Sequence, residues 1–489
     1  MSDSKTVKKK SLEINMILNA IKGIMRIIFP LITFPYVSKV LGVEGVGKYN
    51  FASSMVGYFI MFAGLGISTY AIREGAKIRE DKQKSNQFIS EIFSINLFST
   101  LISYLLLAVL LCVWPALQNY TILILILSIQ IGFTTIGVEW IYSIFEDYAY
   151  ITVRSIIFQI FSLVMLFILV HKPDDLYWYA FITAFSGVGS NLLNLIHSKK
   201  YCHIKVTCKI DWKKHLIPIF ILFATTVTVR IYSNSDVTIL GILCGDYEVG
   251  LYSVSTKVYE VIKTILSSVI IVSIPRLASL AGKRDGSFSK LAESVYMLLI
   301  SLVMPCLTGI ILLRKEIVWI VSDESYTQAT TSLTILSIAL LFSLFGWFWG
   351  QCILVPHNKE KIVFVASAVS AVVIIAMNFL LIPIWKQDAA AFTTLIAECL
   401  QFLLCWFAGR KYLSKNKILS CCWKSLIGCM LIIILNIWII NNNWGTVVHC
   451  LLLIPLSIFA YSLVELLLQN PGIVNIFNNL ETIFRPNPM

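Results

Sequence analysis

The sequence has few charged residues for its length. Charged side chains make up 13% of the 489 residues and hydrophobic ones 57%, whereas about a quarter of residues are charged in an average soluble domain. Apolar runs of about 20 residues, the length that crosses a hydrocarbon layer of about 30 Å as a helix, follow one another along the chain. This composition excludes a water-soluble globular protein and predicts an all-α polytopic membrane protein with about 14 transmembrane helices.

Signatures of enzyme chemistry are also missing. The sequence has no His-Glu-x-x-His, Gly-x-Ser-x-Gly or P-loop lysine pattern, so we expect no catalytic residues. Most of the 12 cysteines fall in predicted spans or in connections on one side of the membrane, which argues against a disulfide framework. Cys202, His203 and Cys208 have no second ligand pair at zinc spacing, so we expect no metal site and no cofactor.

Basic residues outnumber acidic ones, 39 to 27, but they are unevenly distributed. Most lysines and arginines fall in the two terminal segments and in the even-numbered connections between predicted spans. This is the pattern of the positive-inside rule, so the charge is explained by topology and not by binding to nucleic acid. We therefore expect both termini to be cytoplasmic.

One glycine-containing pattern occurs twice. Residues of the turn after the first span recur after the seventh, the pairs being Gly42 and Gly245, Val46 and Val249, Gly47 and Gly250, and Tyr49 and Tyr252. Each copy lies between two long apolar runs. Six spans separate the copies, so both halves enter the membrane in the same orientation, which indicates a parallel internal repeat.

The repeat predicts the domain organisation. We assign residues 1–196 to an N-lobe with spans 1 to 6 and residues 216–408 to a C-lobe with spans 7 to 12. The basic segment 197–215 is a cytoplasmic linker, which either is simply solvated or also binds anionic lipid headgroups. Residues 409–489 contain two extra spans and a cytoplasmic tail.

Five basic residues fall inside predicted spans, where a cation near the midplane costs on the order of 2.5–3.5 kcal/mol. They are Lys22, Arg26, Arg230, Lys257 and Lys263. These cations line a cavity for an anionic cargo, or else they are satisfied structurally. In the structural alternative Lys22 reaches the cytoplasmic surface and Arg26 pairs with a carboxylate elsewhere. Glu260 is spaced to pair with either Lys257 or Lys263. Because deep cations outnumber deep anions, the sequence favours a cavity that binds diphosphate or carboxylate groups.

A second set of polar residues lies in spans 7, 11 and 12. Asp236, Asn378, Thr394 and Glu398 carry oxygen atoms that could bind Na⁺ or relay H⁺ as a coupling ion. The alternative is that these residues join helices through hydrogen bonds. The sequence leaves both interpretations open.

Several segments, in this order and spacing, resemble the bacterial polysaccharide repeat-unit flippases. These Wzx-like translocases of O-antigen and exopolysaccharide units belong to the multidrug/oligosaccharidyl-lipid/polysaccharide exporter superfamily. The matching segments are LGVEGVGKYN, GLGISTYAIREGAK, FEDYAYITVRS, SDVTILGILCGDYEVGLYS, PCLTGIILL, VPHNKEK, NFLLIP and AAAFTTLIAE. The chain departs from the family at residues 385–388, where glycines are usual, and before Glu146, where a glycine is usual.

The resemblance implies a fold and a function. The fold would be two six-helix lobes in a V shape around a central cavity, with two further helices. The function would be alternating-access transport of undecaprenyl-diphosphate-linked oligosaccharide from the cytoplasmic to the outer leaflet of the bacterial plasma (inner) membrane. The resemblance also implies coupling to an ion gradient or to the membrane potential. A polysaccharide polymerase and glycosyltransferases of O-antigen or capsule synthesis are the expected partners.

Two other functions compete with this one. A cation-coupled exporter of drugs or other small molecules shares the architecture, but it would need acidic groups in its cleft, whereas the first predicted lobe has Lys22 and Arg26. A polysaccharide polymerase or ligase is equally hydrophobic, yet such enzymes usually have a large extracytoplasmic loop. The longest such connection here, residues 313–327, is short, so we expect a transporter and not an enzyme.

Overall fold

The structure, a computed structural model, describes residues 12–282, 286–413, 415–441 and 446–472. Across these ranges the secondary structure consists of helices joined by turns and loops, with no β-strand, which confirms the predicted fold class. The helices of the first half are α1 (Leu12–Gly64), α2 (Ile67–Ile78), α3 (Lys82–Val113), α4 (Thr121–Ile136), α5 (Glu139–Ile144), α6 (Tyr148–Leu169), α7 (Leu176–Val188), α8 (Asn191–Ser198) and α9 (Trp212–Cys244). Those of the second half are α10 (Asp246–Leu280), α11 (Ser287–Leu312), α12 (Arg314–Val321), α13 (Ala329–Trp347), α14 (Glu360–Gly409), α15 (Lys415–Asn441) and α16 (Thr446–Leu467).

The helices have the length and composition of membrane spans. Within the described ranges, 10 helices are long and apolar enough to cross a membrane, or up to 11 if the bent pair Trp212–Thr228 and Arg230–Cys244 counts as one. Two of the candidates run for 56 and 53 residues, far more than the roughly 20 residues of one crossing. The protein is a multi-pass membrane protein, and the count of 14 spans remains a prediction.

The repeated glycines break the helices at corresponding places. Gly42 interrupts α1 with φ 67° and ψ 179°, and Gly245 separates α9 from α10 with φ 85° and ψ −174°. A side chain makes this backbone region almost inaccessible, so only glycine adopts it at little cost. The sequence repeat therefore marks the same backbone turn in each half.

A third break lies where the chain departs from the family pattern. Lys386 interrupts α14 with φ 51° and ψ −128°, a conformation that glycine adopts far more readily than lysine does. Its ammonium group lies 2.9 Å from the Glu248 carboxylate at the start of α10. The chain therefore turns at residue 386 without the glycine that is usual in the family. The strained lysine forms an ion pair with Glu248.

The chain divides into two compact units, Met1–Gly241 and Ile242–Met489. In the first unit α1 packs against α3, α4 and α6, and α7 packs against α4 and α6. In the second unit α13 packs against α10 and α14, while α15 packs against α11 and α16. The lobe boundaries assigned from the sequence remain a prediction.

A buried polar network fixes the start of α9 within the first unit. His215, which is fully buried, is hydrogen-bonded through Nδ1 to the Tyr70 hydroxyl at 2.8 Å and through Nε2 to a Glu91 carboxylate oxygen at 2.8 Å. Gln87 donates to the other Glu91 oxygen, also at 2.8 Å. The network joins the end of the basic segment 197–215 to α2 and α3.

Candidate functional site

In the first unit, one of the predicted cations lies between α1 and α9. The Arg230 guanidinium packs over Gly57, where an added Cβ would lie 2.5 Å from Nη2. With its amide oriented to suit its neighbours, Asn234 accepts a hydrogen bond from Arg230 Nε at 3.2 Å. The missing side chain of Gly57 therefore makes room for the guanidinium on the face of α1.

Asp236 lies in the same part of the first unit. It is buried, 6% exposed, and accepts a long hydrogen bond from Ser235 at 3.4 Å. Tyr58 of α1 is within electrostatic reach of both Asp236 and Arg230, and its hydroxyl lies 3.1 Å from the Thr238 hydroxyl. The acidic residue predicted for ion coupling thus shares its surroundings with a residue predicted for the cargo.

The two cations of the first span cannot be placed in the same way. Lys22 and Arg26 lie on α1, but their side chains lie outside the described part of the structure. Their assignment to the cargo cavity remains a prediction.

In the second unit, Lys263 of α10 and Glu398 of α14 form an ion pair, with 3.2 Å between Nζ and Oε1. The Tyr259 hydroxyl donates to the same carboxylate oxygen at 3.1 Å, and Ser343 of α13 donates to it at 2.8 Å. Glu398 is almost fully buried, whereas a third of the Lys263 side chain is exposed. The carboxylate of the pair is therefore buried in the protein, and the lysine side chain is partly exposed to solvent.

This pair joins two residues that the sequence assigned to different tasks. Lys263 was predicted to bind the cargo and Glu398 to bind a coupling ion. The sequence analysis missed Tyr259 and Ser343, which complete the cluster. Tyr259 is four residues before Lys263 on α10 and so shares its helix face, which is the signal that could have indicated it.

Lys257 lies two turns earlier on α10. Its ammonium group is 3.7 Å from the Glu260 carboxylate, and both side chains are substantially exposed. An ion pair with this exposure contributes little free energy, and the assignment of Lys257 to the cargo cavity remains a prediction.

The remaining predicted ion ligands lie at the break in α14. Thr393 donates a hydrogen bond of 2.5 Å to the Asn378 side-chain oxygen across that break. Thr394 lies 3.3 Å from the Tyr252 hydroxyl of α10, and all four residues are buried. The described hydrogen bonds thus link Asn378 to Thr393 and Glu398 to Lys263, in two separate groups.

We found no cluster of metal-ligating side chains in the described ranges, which exclude residues 1–11 and 473–489 among others. The buried groups described above are hydroxyls, amides and ion pairs. Such groups can bind an anionic headgroup or a monovalent cation.

Comparison with known proteins gives two similar relatives. A protein of Escherichia coli (strain K12) named for O-antigen transport is 25% identical over 418 residues, which cover 84% of this chain and 99% of the relative. A Staphylococcus aureus protein, capsular polysaccharide biosynthesis protein CapF, is 24% identical over 367 residues, covering 73% of this chain and 88% of the relative. These names confirm the predicted resemblance and the expectation of a transporter rather than an enzyme.

The fold is similar to that of a solved transporter. The lipid II flippase MurJ in an inward closed conformation aligns with a TM-score of 0.72 and 16% identity, covering 93% of this chain and 99% of that one. A sequence profile of the family described as polysaccharide biosynthesis protein matches residues 14–281. Since that match spans more than half of the 489 residues of this chain, the chain belongs to the polysaccharide biosynthesis protein family.

Proposed function

We propose that this transporter is a flippase for undecaprenyl-diphosphate-linked oligosaccharide repeat units. It moves them by alternating access from the cytoplasmic to the outer leaflet of the bacterial inner membrane, and both of its termini are cytoplasmic. The observation that carries the proposal is the family match over residues 14–281, supported by the relative named for O-antigen transport. A polysaccharide polymerase and glycosyltransferases are its expected partners.

The accessible cation of the second unit suits the diphosphate of such a cargo. A phosphate oxygen that approaches Lys263 competes with the Glu398 carboxylate for the same ammonium group, 3.2 Å away. The carboxylate keeps its hydrogen bonds from Tyr259 and Ser343 when the lysine turns away. The buried carboxylate therefore has hydrogen-bond partners in both states. In the empty site these are Lys263, Tyr259 and Ser343, and in the loaded site they are Tyr259 and Ser343.

If phosphate and the Glu398 carboxylate compete for Lys263, substitutions of the two residues should change the affinity for the lipid in opposite directions. Lys263→Met removes the cation and should lower affinity for undecaprenyl diphosphate at least tenfold, because a charge-assisted hydrogen bond is worth about 1.5–3 kcal/mol. Glu398→Gln removes the competing carboxylate but leaves the lysine charged, so affinity should rise. Binding is measured on the purified full chain in lipid nanodiscs, and flipping in proteoliposomes.

Lys290→Met on α11 is the matched control, since it removes an exposed lysine of the same unit. It should leave both binding and flipping at the wild-type level. A Lys263→Met variant with wild-type affinity would remove this lysine from the cargo site, and absence of flipping by the wild type would contradict the flippase function.

Coupling to Na⁺ or H⁺ is part of the proposal. Asp236 of the first unit, and Asn378, Thr394 and Glu398 of the second, are the candidate ligands. The membrane potential is a further energy source, because moving one charge across 100 mV is worth about 2.3 kcal/mol and an inside-negative potential returns unloaded cations inward. The flipping rate in the same proteoliposomes, measured with an imposed potential alone and with an imposed Na⁺ gradient alone, distinguishes these energy sources.

A further inference from the structure

The first unit contains a break between α4 and α5 that sequence analysis did not predict. Val138 sits there with φ 38° and ψ 37°, a left-handed conformation that is a clear outlier for a β-branched residue. Glu139 and Trp140 follow at once and begin α5. The strained residue thus turns a carboxylate and an indole away from the direction that a continuous α4 would give them.

A second break lies between α7 and α8, and polar side chains join it to the first. Arg154 of α6 donates through Nη2 to Glu139 at 3.2 Å and through Nη1 to the Ser190 carbonyl at 3.3 Å. Asn191 donates to the Phe133 carbonyl in the last turn of α4 at 2.9 Å. The Arg154 side chain is 5% exposed, so it is part of the interior of the unit.

A cavity of about 410 Å³ lies between these helices, within the range of roughly 300–1,000 Å³ that is usual for small-molecule sites. Its wall combines hydroxyls, amides, the ion pair of Arg154 with Glu139 and the Trp140 indole. The hydroxyl and amide residues of the wall include Ser68, Asn96, Thr134, Ser155, Gln159 and Asn191. The one charged pair of this lining is neutral overall, so the wall differs from the cationic site proposed for the diphosphate.

Four of the lining side chains carry a buried polar atom that has no hydrogen-bond partner in the described ranges. These atoms are Trp140 Nε1, Arg154 Nε, Gln159 Oε1 and Asn191 Oδ1. Two unpartnered donors and two unpartnered acceptors on residues around one cavity are unusual, because burying such an atom costs about 1–3 kcal/mol. A ligand with several donors and acceptors in the cavity would give these atoms partners once their side chains turn toward it.

We propose that this cavity binds the saccharide part of the cargo. The proposal rests on the flippase function above and adds to it the residues that recognise sugar. A pyranose ring presents adjacent hydroxyls that both donate and accept, which amide, guanidinium and carboxylate groups bind in pairs, and an apolar ring face that packs on an indole. An inorganic anion or cation would leave most of the neutral groups unsatisfied.

The test compares two lipids on the same purified, full-length chain. The probes are the lipid extract of the source strain lacking this gene, which contains unflipped lipid-linked saccharide, and undecaprenyl diphosphate added at an equal concentration. Bound lipids are quantified by mass spectrometry, and the measured value is the ratio of saccharide-bearing to saccharide-free lipid. Wild type should enrich the saccharide-bearing lipid.

Gln159→Leu and Trp140→Phe should each lower that ratio about fivefold, the factor that corresponds to about 1 kcal/mol for one lost hydrogen bond. Gln159 and leucine are similar in size and Gln159 Oε1 has no described partner, so Gln159→Leu should unfold near the wild-type temperature. Trp140→Phe should lower that temperature, because the smaller ring leaves a void in the core. Ser162→Ala is the matched control: it also removes a buried, unpartnered oxygen from α6, but this one faces a different, apolar cavity. It should leave the ratio unchanged.

Failure of this inference differs from failure of the proposed function. Lys263→Met should weaken binding of both lipids and keep their ratio. A wild-type chain that binds both lipids equally, or a Gln159→Leu variant whose ratio matches that of Ser162→Ala, would overturn the saccharide site while leaving the flippase intact. A chain that binds neither lipid would overturn both.

Discussion

At the scale of single residues, the placement of a side chain determines what its chemistry can do. Lys263 and Glu398 lie 135 positions apart in sequence, yet they share one buried hydrogen-bonded cluster with Tyr259. Removing one partner of such a pair usually costs several kcal/mol because the other charge is left buried. Here the Lys263 side chain is one third exposed, and under the proposed function it exchanges the Glu398 carboxylate for a phosphate oxygen.

Two cysteines of the basic segment illustrate the same point. Cys202 is 1% exposed and Cys208 is exposed. Burial raises the pKa of the Cys202 thiol to about 12, so at pH 8 only about one molecule in 10,000 carries the thiolate that reacts. We expect a maleimide to label Cys208 at pH 7.5 and to leave Cys202 unmodified, as measured by peptide mass spectrometry.

The sign of the pH dependence follows from the raised pKa. Labelling of Cys202 should increase only as pH rises toward 12 or as the protein unfolds. In a Cys208→Ser variant the peptide that contains residue 202 should remain unlabelled in the native protein. Equal labelling rates of the two cysteines at pH 7.5 would contradict the buried position of Cys202.

At the scale of the element, helix breaks organise this protein. Gly42 and Gly245 form turns that favour glycine, and Lys386 forms one of similar severity without it. The residual strain at Lys386 is of the order of 1–3 kcal/mol. The ion pair with Glu248 is one interaction that holds this turn in place.

Glycine at position 386 should relieve this strain. Both Lys386→Gly and Lys386→Ala lose the ion pair with Glu248, so that loss cancels between them. We expect the glycine variant to be the more stable by about 1 kcal/mol, because relief of strain exceeds the entropy cost of glycine. Unfolding midpoints in detergent measure the difference.

The same two substitutions at Lys290, in the first turn of α11, supply the control. There glycine should be the less stable by up to about 1 kcal/mol, because it loses more backbone entropy than alanine does in a helix. If glycine were also the worse residue at position 386, the break in α14 would not carry backbone strain.

At the scale of the whole molecule, the distribution of lysine and arginine predicts the orientation in the membrane. In a cysteine-free background, Glu44→Cys and Lys172→Cys should react in intact cells with a membrane-impermeant thiol reagent. Lys82→Cys and Lys209→Cys should react only after the cells are opened. All four native side chains are exposed in the structure, so accessibility depends on the side of the membrane and not on burial.

The topology would be wrong if Glu44→Cys and Lys82→Cys were labelled from the same side, because one span is predicted between them. The buried position Ser38→Cys provides a reference for a site that no aqueous reagent reaches. These measurements also test the proposed cytoplasmic location of the termini.

The sequence by itself determined the class of protein. Apolar runs of span length, scarce charge and the uneven distribution of lysine and arginine predict a multi-pass helical membrane protein, because these properties depend on residues that are close together in the chain. The glycines at 42 and 245 likewise predicted the turns that the structure shows, since a backbone conformation limited to glycine depends on the residue itself.

Only the tertiary structure decided which polar groups meet. Lys263 pairs with Glu398 across α10 and α14, and Arg154 joins the two helix breaks at residues 138 and 190 around a polar cavity. Neither arrangement has a local sequence signal, because ion pairs and cavities between helices depend on packing between distant segments. The left-handed Val138 is the clearest case: its apolar run predicts one continuous span, and the structure breaks the helix there.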